Sequence, residues 1–392
     1  MKSLWHELLD GTEGNLLHGK ETLEKVPLLA EKCFLSPSQK AVPEECARKV
    51  LSDPELLKGF AQILALLEEG ILEGFSGRIT DAVLEEPFPK KICGDIPEEN
   101  YLFLLAVSCI PAGEKAFRKK GLPPEKLFEA LDEVRAWCDN CTRNFSVTGL
   151  QYGNGFAWIV FRILPGIVLR FGRLEYNHCL AFPDILVFRH RKTGEICVML
   201  SGKYDVNDRG EIAAQGEKIA FTTSVPSGIF GAYDGFPVSP AGKVFKETVR
   251  VDLEEYEILL RPGDQVLYMH IPELGPLTPE KVEDSFRQVK AFYAERGKDS
   301  FRPKGIVCGS WLFDPVLQEI LPENANLPLF QKSGFLLPPK TPRCDAVFRV
   351  FGTKAVKEGI DAVPWKSTLQ KALGEYLKKG GIFRGGRFFR LF

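Results

Sequence analysis

The sequence lacks any apolar run long enough to cross a membrane. Its most apolar windows, Ile63 to Leu67 and Tyr101 to Pro111, are much shorter than the roughly 20 residues of a membrane-spanning helix. The first 20 residues carry several charged side chains and no apolar core of signal-peptide length. We therefore expect a cytoplasmic protein with no membrane partner.

An excess of charge of either sign is also missing. The 51 lysines and arginines balance 52 aspartates and glutamates, which leaves a formal net charge of -1. Proteins that neutralise nucleic-acid phosphates usually carry a clear basic excess. We therefore expect no nucleic-acid partner.

The ten cysteines do not form a complete metal-binding set. Only Cys138 and Cys141 make a CxxC pair, and no second CxxC or HxxxH motif supplies the other two ligands of a structural zinc. With no export sequence, a chain of this size is expected to keep its thiols reduced. The sequence thus predicts incidental thiols and no bound metal.

The first part of the chain has the pattern of amphipathic helices. Asp53 and Pro54 make a favourable helix start, and the apolar residues that follow recur at helical spacing as far as Gly70. A second helix is predicted from Pro123, with its apolar stripe extending to Cys138. These patterns predict a helical bundle-like domain over residues 1–145.

Short β-rich runs separated by turn residues follow this domain. They include Asp184 to His190, Glu195 to Leu200 and Val249 to Leu260, and turns such as Lys192 to Glu195 are typical of hairpins. We therefore expect a largely antiparallel sheet within a second domain, residues 146–392.

One segment of the second domain has a strand-helix-strand pattern. Residues 265–271 alternate as a strand does, so Val266, Tyr268 and His270 share one face. Thr278 and Pro279 then begin a helix, and a second strand starts at Gly305. Such a crossover is right-handed, and its two strands run parallel. The glycine-bearing loop before the helix is also a possible anion site, because the first amides of a helix lack internal partners.

Short motifs in this half of the chain resemble those of a family of acyltransferases with a helical N-acyltransferase N-terminal domain and a GNAT-like C-terminal domain. The motifs are Gly172 to Tyr176, Gly263-Asp264, Val266-Leu267, His270-Ile271-Pro272, Gly275-Pro276-Leu277, Ser310 to Pro315, Phe330-Gln331 and Thr368-Leu369-Gln370. The resemblance implies an α+β protein: the helical domain is followed by a GNAT-like mixed β-sheet domain with flanking helices.

The same resemblance implies acyl-CoA or acetyl-CoA as co-substrate and a small-molecule amine or a peptide as acceptor. In such enzymes the CoA pyrophosphate lies on amides of the loop after the fourth strand, which corresponds here to residues 273–278. The CoA-binding candidates are Ile271, Glu273, Gly275, Leu277, Thr278 and Ser310.

Two side chains at the end of the predicted strand are candidates for proton transfer. The imidazole of His270 is a group of the kind that accepts a proton from an attacking amine, and Tyr268 on the same face could protonate a leaving thiolate. A hydrolase triad with Ser310 and Asp314 is disfavoured, because no GxSxG motif occurs and Asp314 before Pro315 is better explained as a helix cap.

Two charged regions have alternative explanations. Arg173 and Glu175 either bind substrate or, as we favour, pair with charges across the sheet. The basic tail from Trp365 to Phe392 is predicted to be a solvated or loosely docked terminus, with binding of an acidic substrate or of CoA phosphate as the alternative.

The sequence therefore predicts an acyl-CoA-dependent N-acyltransferase. Two other functions remain open. A cupin-like metal protein would combine the turn Arg261 to Asp264 and His270 with His178 or His190. A non-catalytic ligand-binding protein could keep the GNAT-like fold, since the loop has only one glycine.

Overall fold

The computed structural model of the chain describes residues 5, 8, 9, 11–75, 90–229, 231–296, 301–338 and 345–392. The chain forms two compact units, Met1–Glu175 with Ile271–Leu274, and Tyr176–His270 with Gly275–Phe392. The domain limits expected from the sequence, 1–145 and 146–392, remain predictions.

The first unit is helical, as predicted. At the start of its longest described helix, the Asp53 carboxylate accepts hydrogen bonds from the backbone N–H groups of Glu55 (2.9 Å) and Leu56 (3.2 Å), as an N-cap does. That helix continues past Gly70 and ends before Gly74, whose φ is 103°. The described helices are α1 (Leu16–Glu24), α2 (Val26–Glu31), α3 (Pro37–Ser52), α4 (Pro54–Glu73), α5 (Lys90–Cys93), α6 (Glu98–Ser108), α7 (Ile110–Lys119), α8 (Pro124–Ala130) and α9 (Asp132–Phe145).

Helix α6 lies at the centre of this unit. Every residue from Tyr101 to Ser108 is fully buried, because α2 and α3 pack against the helix. Because this part of α6 is buried on all sides, its apolar residues occupy the whole circumference of the helix and do not form a stripe. Within the described residues, no helix combines the length and apolar character that a membrane span requires.

The helix predicted from Pro123 is two helices, which corrects the sequence-based expectation. Leu131 separates α8 from α9, and its N–H donates to the carbonyls of both Leu127 (3.0 Å) and Phe128 (3.3 Å). Helical turns of the wider π type then extend the unit over Tyr152–Phe156 and Ile159–Ile163.

Three charged side chains of the first unit form a buried group, which we call the Arg170 cluster: Glu133, Arg170 and Glu175. The Arg170 guanidinium donates to the carboxylates of Glu175 (2.7 Å) and Glu133 (3.0 Å). Glu175 was expected to pair with charges across the sheet. Its partner is Arg170 on the neighbouring strand, as expected, and Glu133 of helix α9 completes the cluster.

The described strands form two larger β-sheets and one two-stranded sheet. The first larger sheet has the strand order β1-β2-β11-β12-β14-β13, the second has the order β10-β3-β4-β8-β7, with β9 beside β8, and β5 pairs with β6. The strands are β1 (Leu169–Phe171), β2 (Leu174–Leu180), β3 (Ile185–His190), β4 (Ile196–Leu200), β5 (Asp205–Val206), β6 (Phe221–Thr222), β7 (Ser227–Ile229), β8 (Ala232–Val238), β9 (Val249–Asp252), β10 (Tyr256–Leu260), β11 (Gln265–His270), β12 (Gly305–Ser310), β13 (Phe335–Leu337) and β14 (Gly386–Leu391).

The antiparallel hairpins predicted from the sequence are present. Strands β3 and β4 pair antiparallel across the turn at Lys192 to Glu195, and β10 pairs with the other edge of β3. Apolar side chains from the two sheets pack into one core. Its members include Val187, Val198, Leu260, Val266, Val307 and Phe389.

The predicted crossover is also present, with α10 (Pro279–Glu295) between the parallel strands β11 and β12. The Thr278 hydroxyl caps α10 by accepting a hydrogen bond from the N–H of Lys281 (3.5 Å). Helix α10 buries Val282, Phe286 and Val289. The remaining helices are α11 (Val316–Ile320), α12 (Asn326–Lys332), α13 (Asp345–Phe351), α14 (Thr353–Glu358) and α15 (Thr368–Lys378).

The prediction of a solvated tail is wrong. Strand β14 lies inside the sheet, paired antiparallel with both β12 and β13. The Arg384 side chain is buried and ion-paired with Glu211 and Glu217, and Arg387 bonds Asp184 at 2.7 Å. Arg384 and Arg387 of the tail are therefore ion-paired within the second unit. A strand in which Arg387 and Arg390 flank two phenylalanines looks like a basic tail in sequence, because only the folded unit supplies the opposing carboxylates.

Candidate functional site

His270 is the last residue of β11, and Asn177 of the neighbouring strand β2 holds its ring. The Nε2 atom of His270 lies 2.6 Å from Oδ1 of Asn177. The Asn177 amide nitrogen donates to the carbonyl of His178 at 2.8 Å, which directs the amide oxygen towards His270. Asn177 was not predicted from the sequence, because 93 residues separate it from His270 and no motif connects the two positions.

Tyr268 precedes His270 on the same face of β11, as the strand alternation predicted. Its ring centroid is 5.0 Å from that of His270. The Tyr268 hydroxyl donates to the carbonyl of Gly309 (3.1 Å) and accepts from the N–H of the same residue (3.0 Å). It therefore links the ends of β11 and β12.

This link lies just beyond the backbone ladder of the two parallel strands. In the described chain, the paired residues are Leu267 with Ile306 and Tyr268 with Val307. Past these pairs, a side chain replaces backbone hydrogen bonding between the strands. The backbone groups of Gly309 therefore bond to the Tyr268 hydroxyl and not to the backbone of β11.

The loop after β11 begins in the first unit. There the Glu273 carboxylate accepts hydrogen bonds from Arg143 (2.7 Å) and Asn140 (3.2 Å). Ile271 belongs to the same short segment, Ile271–Leu274. These two CoA-binding candidates are thus grouped apart from the others, which lie in the second unit.

The second part of the loop leads into α10. Gly275 has a φ of 87°, which residues with a Cβ rarely adopt, and a Cβ added there would meet nothing within 4 Å. Leu277 is buried, and Thr278 is the helix cap. Because Pro276 and Pro279 lack an N–H, fewer amides are available here than in a glycine-rich loop.

A carboxylate of the protein itself lies at the start of α10. The pKa of Glu280 is lowered by its own backbone N–H and by the Thr278 hydroxyl, which favour the charged carboxylate. The positive end of the helix macrodipole also favours a negative charge there. Glu280 therefore places a negative charge at the helix start, where an incoming phosphate would be repelled by it.

We predict that Glu280→Gln strengthens acyl-CoA binding by about two- to fivefold, the range expected for one charge at a helix N-terminus. Isothermal titration calorimetry would measure the change in Kd. Glu295→Gln, at the other end of α10, makes the same change in net charge and should leave Kd unaltered. Equal effects of the two substitutions would show that only the overall charge matters.

Ser310 and Asp314 both serve as caps. The Ser310 hydroxyl accepts from the N–H of Leu312 (3.3 Å). Asp314 accepts from the N–H of Val316 (3.0 Å) at the start of α11, as predicted, and its other oxygen accepts from the N–H of Gly385 (3.0 Å). Burial raises the pKa of Asp314. This carboxylate therefore fixes the start of α11 to the segment before β14.

The histidines named for a metal site bond to other groups. His178 Nε2 lies 2.9 Å from the Tyr293 hydroxyl, and burial lowers the pKa of His178. His190 Nδ1 accepts from the N–H groups of Lys192 (3.2 Å) and Thr193 (3.1 Å). In the part of the chain that the structure describes, no group of three or more His, Cys, Asp or Glu side chains could hold a metal ion.

Cys138 and Cys141 are buried on helix α9. Burial raises the pKa of the Cys138 thiol to about 12 and that of the Cys141 thiol to about 11. Since the thiolate is the reactive form of cysteine, both residues are suited to packing.

A helical unit and a mixed sheet with one parallel crossover define an α+β protein of GNAT-like architecture. The sequence profile of the GNAT-like C-terminal domain matches residues 168–387, more than half of the chain. The chain therefore belongs to the family with this domain, as the sequence motifs indicated.

Solved structures with the same fold extend the likeness to nearly the whole chain. An acyltransferase in complex with decanoyl-CoA and teicoplanin has a TM-score of 0.59 and 17% identity, with 94% of this chain and 88% of that chain covered. An acyltransferase mutant in complex with octanoyl-CoA gives the same values. A third structure, an acyltransferase with decanoyl-CoA, has a TM-score of 0.56 and 17% identity over 93% of this chain and 86% of that chain. None of the curated proteins matches the chain in sequence.

Proposed function

We propose that this protein is an acyl-CoA-dependent N-acyltransferase that moves an acyl group from acetyl-CoA or a longer acyl-CoA to an amine on a small molecule or peptide. The observation that carries the proposal is the end of β11. His270 lies there, directly before the Gly275 loop and the capped helix α10. Family membership and the acyl-CoA complexes of the similar structures support the same activity.

In the proposed reaction, the amine nitrogen attacks the thioester carbonyl carbon, and the C–S bond breaks. His270 accepts the proton that the amine loses. Tyr268 is the candidate to protonate the departing thiolate, for which its hydroxyl hydrogen must leave the Gly309 carbonyl. The products are an amide and CoA. Holding the two reactants in line contributes much of the rate.

The CoA moiety is proposed to lie along the loop into α10. Backbone groups of Gly275, Leu277 and Thr278 would contact the pyrophosphate, and Ser310 would flank the thioester at the end of β12. Ile271 and Glu273 stay candidates for the same role. No metal is needed in this reaction.

The proposal predicts that acyl-CoA binds and that Gly275→Ala weakens binding at least fivefold, because φ of 87° is strained for alanine. Calorimetry with acetyl-CoA, octanoyl-CoA and CoA would measure Kd. Gly263→Ala is the matched control, because Gly263 also has a positive φ (82°) and open space at its Cβ. Mass spectrometry of mixtures with amine acceptors would detect the acylated product.

The absence of both heat and thermal shift with any acyl-CoA at millimolar concentration would contradict the proposal. Binding without transfer to any tested amine would favour the second candidate, a ligand-binding protein. The specific observation behind that candidate is the Glu280 carboxylate at the α10 N-terminus, next to a loop with only one glycine.

A further inference from the structure

We propose that Asn177 is a positioning residue that fixes the tautomer of His270, so that Nε2 carries the hydrogen and Nδ1 is the proton-accepting atom. The catalytic consequence rests on the proposed function, whereas the tautomer itself does not. The inference depends on two short contacts in the second unit, from Asn177 to His270 and to His178.

The orientation of the Asn177 amide follows from the groups on either side of it. Its nitrogen is a donor only, and its oxygen is an acceptor only. The backbone carbonyl of His178 can only accept, so the group 2.8 Å from it is the amide nitrogen. The oxygen consequently faces His270, and a nitrogen 2.6 Å from that oxygen must donate a hydrogen. The neutral ring of His270 thus has its hydrogen on Nε2.

The tautomer of His270 decides which ring nitrogen can accept a proton. A neutral imidazole with a hydrogen on Nε2 has its basic lone pair on Nδ1. When Nδ1 accepts a proton, the bond from Nε2 to Asn177 is unchanged, so the ring does not need to turn during the reaction. Asn177 thereby supplies orientation, in the way that a group behind a catalytic histidine does in other enzymes.

An uncharged amide suits the position beside the His270 ring. An aspartate would also accept from Nε2, but its negative charge would favour the imidazolium, and an opposite charge at this distance moves a pKa by about 1–3 units. A larger fraction of the rings would then be protonated at a given pH, and fewer could accept a proton. Tyr268 is a further titratable neighbour of this ring. An asparagine fixes the tautomer without adding charge.

The test begins with the histidine side chains in the absence of any substrate. Long-range ¹⁵N–¹H NMR spectra of protein labelled at histidine distinguish the tautomers, and the resonances lost in His270→Gln assign His270. We expect the Nε2–H form in the wild type above the pKa of the ring. Asn177→Leu should give a mixture of tautomers. Tyr293→Phe, which removes the partner of His178, should alter only the His178 resonances.

Kinetic measurements then test the consequence for acyl transfer. We expect Asn177→Leu to lower kcat by roughly 10²-fold, the loss that a small misplacement can cause, with little change in acyl-CoA Kd. Asn177→Asp should keep the Nε2–H form but move the acidic limb of the pH profile upward by about 1–3 units. This second variant keeps the test valid if Asn177→Leu fails to fold.

The outcomes separate the inference from the proposed function. An Nδ1–H tautomer in the wild type, or an Nε2–H tautomer that persists in Asn177→Leu, would overturn the positioning role. A wild-type protein with the expected tautomer but no acyl transfer would leave that role intact and refute the proposed function. If Asn177→Leu and Tyr293→Phe lost turnover equally, the contact between Asn177 and His270 would contribute only to packing.

Discussion

His270→Gln is expected to lower the turnover of acyl transfer by roughly 10²–10⁴-fold, the usual contribution of a positioned general base. Glutamine can still hydrogen-bond Asn177, but its amide cannot accept a proton from an attacking amine at neutral pH. Acyl-CoA affinity should change little, because loop amides rather than the imidazole are proposed to contact the phosphates. Steady-state kinetics and calorimetry on one preparation would measure both quantities.

His190→Gln is the matched control for this substitution. His190 also ends a strand of the second unit, β3, but its Nδ1 atom accepts from the backbone of the following turn. We expect nearly full turnover in this variant. If the folded His270→Gln protein keeps full turnover, His270 has no part in the mechanism. A lower Tm with unchanged turnover per folded molecule would make it structural.

The second large effect is predicted for Arg170→Met. Glu133 and Glu175 are almost completely buried, and both share the Arg170 guanidinium. Removing one partner of a buried ion pair costs about 3–5 kcal/mol, because it leaves buried charge uncompensated. We expect a loss of that size in the free energy of unfolding, measured by urea denaturation. In Arg189→Met the exposed Arg189–Glu257 pair is lost, and the change should stay within about 1 kcal/mol.

The Arg170→Met loss should also depend on pH. In the wild type, burial raises the pKa of Glu133 to about 8, and the nearby Glu175 adds to this shift while Arg170 opposes it. The folded state then binds more protons than the unfolded state between about 4.5 and 8, so the contribution of this group to stability falls as pH rises through that window. Without Arg170, the pKa values of both Glu133 and Glu175 should rise, because the guanidinium lowers them in the wild type. The stability of Arg170→Met should therefore fall more steeply with pH than that of the wild type. A loss that is equal at pH 5 and pH 8 would contradict this account.

Much of the fold could be predicted because it depends on short-range patterns. The cap at Asp53 and the start of α10 at Thr278 follow from residues within one helical turn. The order of strand β11, helix α10 and strand β12 predicts a parallel crossover, and such connections are almost always right-handed. The break at Leu131 did not follow from the sequence, since a continuous apolar stripe is compatible with one helix or with two.

The site was predictable only in part. Strand alternation brought Tyr268 and His270 to one face, and the loop to Thr278 followed from the helix start. The contact between Tyr268 and Gly309 was not foreseen, because it depends on where the β11–β12 ladder stops. The catalytic and CoA-binding roles of these residues remain proposals.

By itself, the sequence determined several helices and strands, among them the start of α4 and the order of β11, α10 and β12, and which family the chain belongs to, because periodicity, caps and short motifs act over a few residues. Only the tertiary structure decided the partners of the charged and polar side chains. It brought Asn177 to His270 over 93 residues, placed Glu133 on Arg170, and turned the basic tail into the paired strand β14. Such contacts depend on how separate elements pack, and the neighbouring residues in the sequence do not determine that packing.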